Sequence, residues 1–179
     1  MSGHPETRRE FTVAPAPVWR LLWLWLPMLG VAVMIVVTTL QSAQRTPMDL
    51  AITLPFLLLV SGVLTWAFFR RQIELQGTEL VVTSTFYRRR TAVSALQLDR
   101  ARIVDLAEHT EFKPGIKING FGMPGFQSGH YRSGGKKVFC LVTDASRVLH
   151  LPLRDGSALL LSPENPRALL DALNAQATR

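Results

Sequence analysis

Hydrophobic and polar positions divide this chain into two unlike parts. Up to Phe69 the pattern is dominated by two long apolar runs; beyond it, short apolar runs alternate with turn residues. The first run, Val18 to Leu40, carries one charge, Arg20 near its start, and its uninterrupted core is Leu21 to Val37. The second, Leu50 to Phe69, carries none. Neither shows the polar stripe of a helix packed on a water-soluble core. A helix rises about 1.5 Å per residue, so about 20 residues cross a hydrocarbon layer of about 30 Å. The pattern therefore predicts transmembrane helices over 18–40 and 50–69, joined by a short loop over 41–49. The first run is too long for a cleaved signal peptide, and a second span follows closely.

Charge placement orients this hairpin. Arg8, Arg9 and Arg20 precede the first core, Arg70 and Arg71 follow the second, and the loop carries only Arg45. Lys and Arg flanking a span resist translocation, so both termini are expected in the cytoplasm, with 1–17 a cytoplasmic tail and 41–49 external. Trp19, Trp23, Trp25 and Trp66 fall at the span ends nearest the same face, where indole rings favour the interface. The expected interface anchors are Trp19, Arg20, Trp23, Trp66, Arg70 and Arg71. Pro27 and Pro55 are expected to kink the helices. Neither span core holds an ionisable group of the kind a transport path retains, so the hairpin reads as an anchor.

Residues 70–179 read as a separate cytoplasmic domain of strands and turns. Seven strands are predicted: Ile73–Gln76, Glu79–Phe86, Arg89–Val93, Ala101–Ala107, Lys137–Thr143, Arg147–Leu151 and Ser157–Leu161. A long loop separates the fourth from the fifth. The end of the chain predicts a helix capped by Ser162, with a proline at its first position, Glu164 near its positive end, and Leu169, Leu170 and Leu173 on one face. Seven antiparallel strands closed by one amphipathic helix describe a small barrel, α+β in class.

Composition narrows the partners. The chain has 179 residues, 47% apolar and 18% charged, enough for one compact domain plus the hairpin. Its formal charge of +7 favours an anionic partner. The single Cys140 excludes an internal disulfide and any multi-cysteine metal site.

Two spans, a basic strand-rich domain, the segment Gly120-Phe121-Gly122-Met123-Pro124-Gly125-Phe126, and the ending Leu159-Leu160-Leu161-Ser162-Pro163-Glu164-Asn165-Pro166 resemble bacterial pleckstrin-homology-like (bacterial PH) domain membrane proteins. The resemblance covers roughly Arg70 to Ala175. It implies a bent seven-stranded barrel with a C-terminal helix over one open end, and a membrane location; it carries no catalytic motif. Eukaryotic domains of this type that bind phosphoinositides resemble one another in basic residues flanking the first strand turn. Here that turn is Gln76-Gly77-Thr78, without a basic pair, so phosphoinositide specificity does not carry over.

The candidate chemistry is sparse. Gly120 to Gly125 matches G-x-G-x-x-G, but neither a helix nor a βαβ unit follows, as a dinucleotide site requires. Phe112 to Thr143 holds no Asp or Glu, yet carries Lys113, Lys117, Arg132, Lys136 and Lys137 among seven of the 12 glycines. Glycine-exposed N–H groups beside cations suit an anion or a lipid headgroup; a solvated loop and a protein-binding surface are the alternatives. Arg88-Arg89-Arg90 is a second cluster, read as a charged turn that contacts either headgroups or solvent. His130 is a candidate pH-sensitive contact. Glu108, His109 and Glu111 lack a fourth partner for a metal, and neither a metal nor a cofactor is expected.

The expected function is non-enzymatic: display of the domain at the cytoplasmic face of the bacterial inner membrane, as a multi-pass protein, for an unidentified protein or anionic lipid. A homo-oligomer is open and nucleic acid is not expected. The alternatives are a small structural subunit of a larger membrane complex, and an unrecognised membrane enzyme.

Overall fold

The computed structural model describes residues 8–41 and 47–178. Arg45 and His4 lie outside them. The chain divides into two compact units: Pro17–Phe69, and the described part of Met1–Ala16 together with that of Arg70–Arg179.

The first unit is a pair of helices. A single 3-10 turn, Val18–Leu21, leads into α1 (Leu22–Gln41), and α2 spans Pro47–Phe69, beginning earlier than the apolar run itself. Both are long and apolar enough to cross a membrane, and very little of either is buried. Pro27 and Pro55 lie inside them. Hydroxyl groups find partners within the pair: Thr38 and Thr39 donate to the Ile35 carbonyl at 3.0 and 2.8 Å, and Thr65 donates to the Ser61 carbonyl at 2.7 Å. The Trp25 indole N–H donates to Thr65 Oγ1 at 3.2 Å and ties the helices together. Internal satisfaction of this kind is what hydrocarbon demands of a polar group.

The second unit contains ten strands in two sheets, which corrects the expected seven-stranded antiparallel barrel. The first sheet is an antiparallel meander of β1 (Arg8–Phe11), β2 (Arg71–Gln76), β3 (Glu79–Ser84) and β4 (Tyr87–Ala92). The stretch read as an N-terminal tail thus supplies an edge strand. Its continuation is stitched down as well, since Ala14 N–H donates to the Ser162 carbonyl and Glu164 N–H to that of Thr12.

The second sheet has six strands: β5 (Arg102–Val104), β6 (Ile116–Met123), β7 (Phe126–Ser133), β8 (Lys136–Val142), β9 (Val148–Pro152) and β10 (Ala158–Leu161), in the order β5-β9-β10-β8-β7-β6. Strand β9 leaves one slot beside β8, and β10 turns back into it, so β8 and β10 run parallel. Helix α3 (Pro166–Ala177) follows. Its cap is Asn165, whose side chain accepts from Ala168 N–H, with Pro166 at the first turn. Ser162, expected in that role, instead donates to the Asp144 carbonyl at 2.8 Å.

Two apolar clusters flank the six-stranded sheet. One face, through Phe139, Leu141, Leu151 and Leu159, packs against Ile73, Leu80 and Val82 of the first sheet and Leu169 and Leu173 of α3. The other, through Val104, Val138, Cys140, Val142 and Leu160, packs with Leu106 and Phe112. Burial on both faces explains the unbroken apolar runs of β8 and β10. A cluster of hydroxyls lies among the buried residues between the sheets: Ser84 and Thr85 approach Ser128 Oγ at 2.8 and 2.5 Å.

The segment read as one long loop is therefore a hairpin, β6 and β7, with its turn at Pro124-Gly125. The glycines shape it. Gly120 and Gly122 leave the space that Tyr131 fills: a Cβ at either would come within 3.2 Å of that side chain. Gly129 adopts φ +100° against the Asn119 carbonyl, a conformation and approach that a side chain would forbid.

Candidate functional site

Register decides which of the expected cations act together. In the β7–β8 ladder Arg132 stands opposite Lys137, with Ile116 of β6 beyond it, on the face turned to the first sheet. Lys117 stands opposite Tyr131 and Lys136 opposite Ser133, on the other face. Lys113 lies before β6, where its carbonyl accepts from Ser133 Oγ at 3.1 Å. The five thus do not form one cradle; alternation along the strands splits them between two faces.

The Arg88-Arg89-Arg90 cluster is also divided, because it lies within β4 rather than at a hairpin tip. Arg90 pairs with Glu79 at 3.9 Å, and the charge of Arg88 reaches Glu74. Arg89 is half-buried and donates to Ser157 Oγ at 3.0 Å; Ser157 in turn donates to Asp155 at 2.7 Å. These arginines are engaged by the protein itself.

Among the expected anchors, Trp19, Trp23 and Trp66 are exposed on their helices, and Arg20 lies in the 3-10 turn before α1. The Arg70 carbonyl accepts from Thr85 N–H at 2.9 Å. Arg71 opens β2 with its guanidinium 5.9 Å from the centre of the Phe126 ring, within cation–π range.

Burial and charge shift several groups. Burial raises the Glu74 carboxyl, but hydrogen bonds from Arg8 and Gln76 and the charges of Arg8 and Arg88 outweigh it and hold the group below its ordinary value. His130 touches the Tyr87 and Phe139 rings; burial first, then Arg89 and Lys137, holds it below the ordinary histidine value. His150 is lowered by burial and by Arg102 and Lys136. Burial pushes the Tyr131 phenol up to about 12, and pushes the fully buried Cys140 thiol up as well. Among the described residues no three His, Cys, Asp or Glu side chains converge as a metal site.

Sequence reasoning missed the Arg102–His150 pair. The two are distant along the chain and face each other only through the β5–β9 ladder, so no local motif signals them.

A strand-rich domain closed by a C-terminal helix is the class of structure that the sequence pattern anticipated, with two sheets in place of the expected barrel. Residues 71–177 match the family described as a bacterial PH domain, and the chain belongs to that family. The match runs from β2 through α3 and leaves out β1. No curated protein and no solved structure matches the chain significantly.

Proposed function

We propose that this is a non-enzymatic integral membrane protein of the bacterial inner membrane. In this reading α1 and α2 form a two-span hairpin, and the PH domain is displayed in the cytoplasm to engage a protein or anionic headgroups. The observation that carries it is the β1–β2 ladder. The segments entering and leaving the helix pair are hydrogen-bonded to each other, from Arg8 opposite Gln76 to Phe11 opposite Ile73, so they belong on one side of any membrane and the chain between them crosses an even number of times. The cations flanking the spans favour the cytoplasm for that side. Tethering raises the local concentration of the domain at the bilayer, so a weak partner is retained. Cys140 supports the non-catalytic reading, because a buried thiol with a raised pKa is inert at neutral pH. Fractionation tests the anchor: the protein is expected to stay in the membrane pellet through high salt and alkaline carbonate, and release into the supernatant contradicts it.

A further inference from the structure

A second set of cations converges at the end of the six-stranded sheet, on the face away from α3. Arg102 of β5 stands directly opposite His150 of β9. Lys136, at the start of β8, lies on that same face, two residues ahead of Val138. Arg100 precedes β5 and Arg154 follows β9. With Phe112 they line a groove of about 500 Å³, a size suited to a small ligand.

Within the groove nothing answers the charges of Arg102 and Lys136. No carboxylate lines it. At the rim Arg100 has Asp99 at 3.8 Å and Arg154 donates to the Ser94 carbonyl at 3.0 Å. Two other acidic residues on the adjoining segments are engaged elsewhere, since Glu111 lies 3.4 Å from His109 and Asp155 accepts from Ser157. The Phe112 ring packs 4.6 Å from that of His150, whose Nδ1 is buried and without a hydrogen-bond partner among the described residues. Both Arg102 and Lys136 come close enough to depress the protonation of that imidazole. Arg102 and Lys136, unanswered against an apolar wall, repel each other and focus a positive potential, and an unsatisfied buried polar atom calls for a ligand, ion or water.

We infer that this groove binds a phosphate-bearing ligand. Its phosphate sits between Arg102 and Lys136, with Arg100 and Arg154 at the rim and the Phe112–His150 wall against the remainder of the molecule. A dianion matches the charge, and the planar guanidinium forks suit phosphate oxygens. The inference goes beyond the display reading, because the groove lies wholly within the two-sheet unit and takes its ligand whether or not the helices span a bilayer.

The test titrates the full chain, in neutral detergent, with pyrophosphate, glycerol phosphate and dihexanoylphosphatidylglycerol in a calorimeter. Saturable binding is expected. Arg102→Gln and Lys136→Gln each weaken it about tenfold, the loss of one charge-assisted contact, and Arg102→Lys recovers part of the loss. Lys137→Gln removes the same charge from the opposite face and shifts affinity less than about twofold. Tighter binding of the short-chain lipid than of glycerol phosphate assigns a lipid headgroup as the source, and equal binding assigns a soluble phosphate. No saturable binding of any of the three, or equal losses in Lys137→Gln and Lys136→Gln, overturns the inference.

Discussion

Arg8 and Glu74, 66 residues apart in the sequence, form an ion pair that joins the strand preceding the helix pair to the strand following it. The Glu74 side chain is only 5% exposed, whereas that of Arg8 is 61% exposed. The carboxylate therefore depends on Arg8 and Gln76 for its compensation. Because the two residues belong to the adjoining strands β1 and β2, the pair fastens the N-terminal segment to the domain.

Arg8→Ala is expected to leave that carboxylate partly unpaired and to destabilise the domain at neutral pH by about 1–3 kcal/mol. The sign with pH follows from the lowered pKa of Glu74. The stabilisation is present above the unfolded-state value of 4.5 and is lost as pH falls through the lower folded-state value. Denaturant titrations of both chains at neutral and acidic pH should show the gap between them narrow on acidification.

The hydroxyl cluster between the sheets gives a second expectation. Ser128→Ala removes the partner of both Ser84 and Thr85, which stay buried. Ser84 keeps the Cys140 carbonyl at 3.2 Å, so the main loss falls on Thr85. A cost of about 1–3 kcal/mol is expected from chemical denaturation, and a neutral result would show that the two hydroxyls find new partners.

Gly129→Ala places a Cβ 2.8 Å from the Asn119 carbonyl and 2.9 Å from the Tyr87 ring, at φ +100°. Loss of at least about 2 kcal/mol is expected. Gly134→Asn, at φ +55° with open space around it, should change stability by less than about 0.5 kcal/mol because Asn tolerates that backbone region. Equal effects of the two substitutions would contradict the close packing assigned to the β6–β7 hairpin.

These particulars show where the sequence was legible. Strands β8 and β10 announce themselves because both of their faces are buried, and α1 and α2 because both are apolar all round. Strands β6 and β7 do not, since glycines stand where the Tyr131 ring packs and since Ile116 and Ile118 are exposed. Strand β1, Arg-Arg-Glu-Phe, is short and polar and owes its conformation to the ladder with β2. Ser162 and Asn165 both precede a proline, and only tertiary hydrogen bonds choose between them as the cap. The cation pattern was visible as composition, but alternation between faces, set by pairing register, decides which cations meet. The opposition of Arg102 and His150 is of that kind.

His130 and His150 supply a pH dependence on the physiological side. Both are held below the ordinary value of 6.5, first by burial and then by neighbouring cations, Arg89 and Lys137 for the former and Arg102 and Lys136 for the latter. As pH falls below 6.5, the unfolded chain takes up protons that the folded chain refuses, so stability declines toward the folded-state values. The melting temperature is expected to drop between neutral and mildly acidic pH, and less steeply in His150→Gln.

In the proposed reading the two-sheet domain lies on the cytoplasmic side, with both ends of a two-span hairpin leading into it. Cysteine labelling with a membrane-impermeant maleimide tests it most directly, because the native Cys140 is fully buried and silent. In intact spheroplasts, Gln44→Cys should label at once, while Arg167→Cys on α3 should label only after lysis. Labelling of Arg167→Cys in intact spheroplasts, with Gln44→Cys protected until lysis, would contradict a cytoplasmic domain.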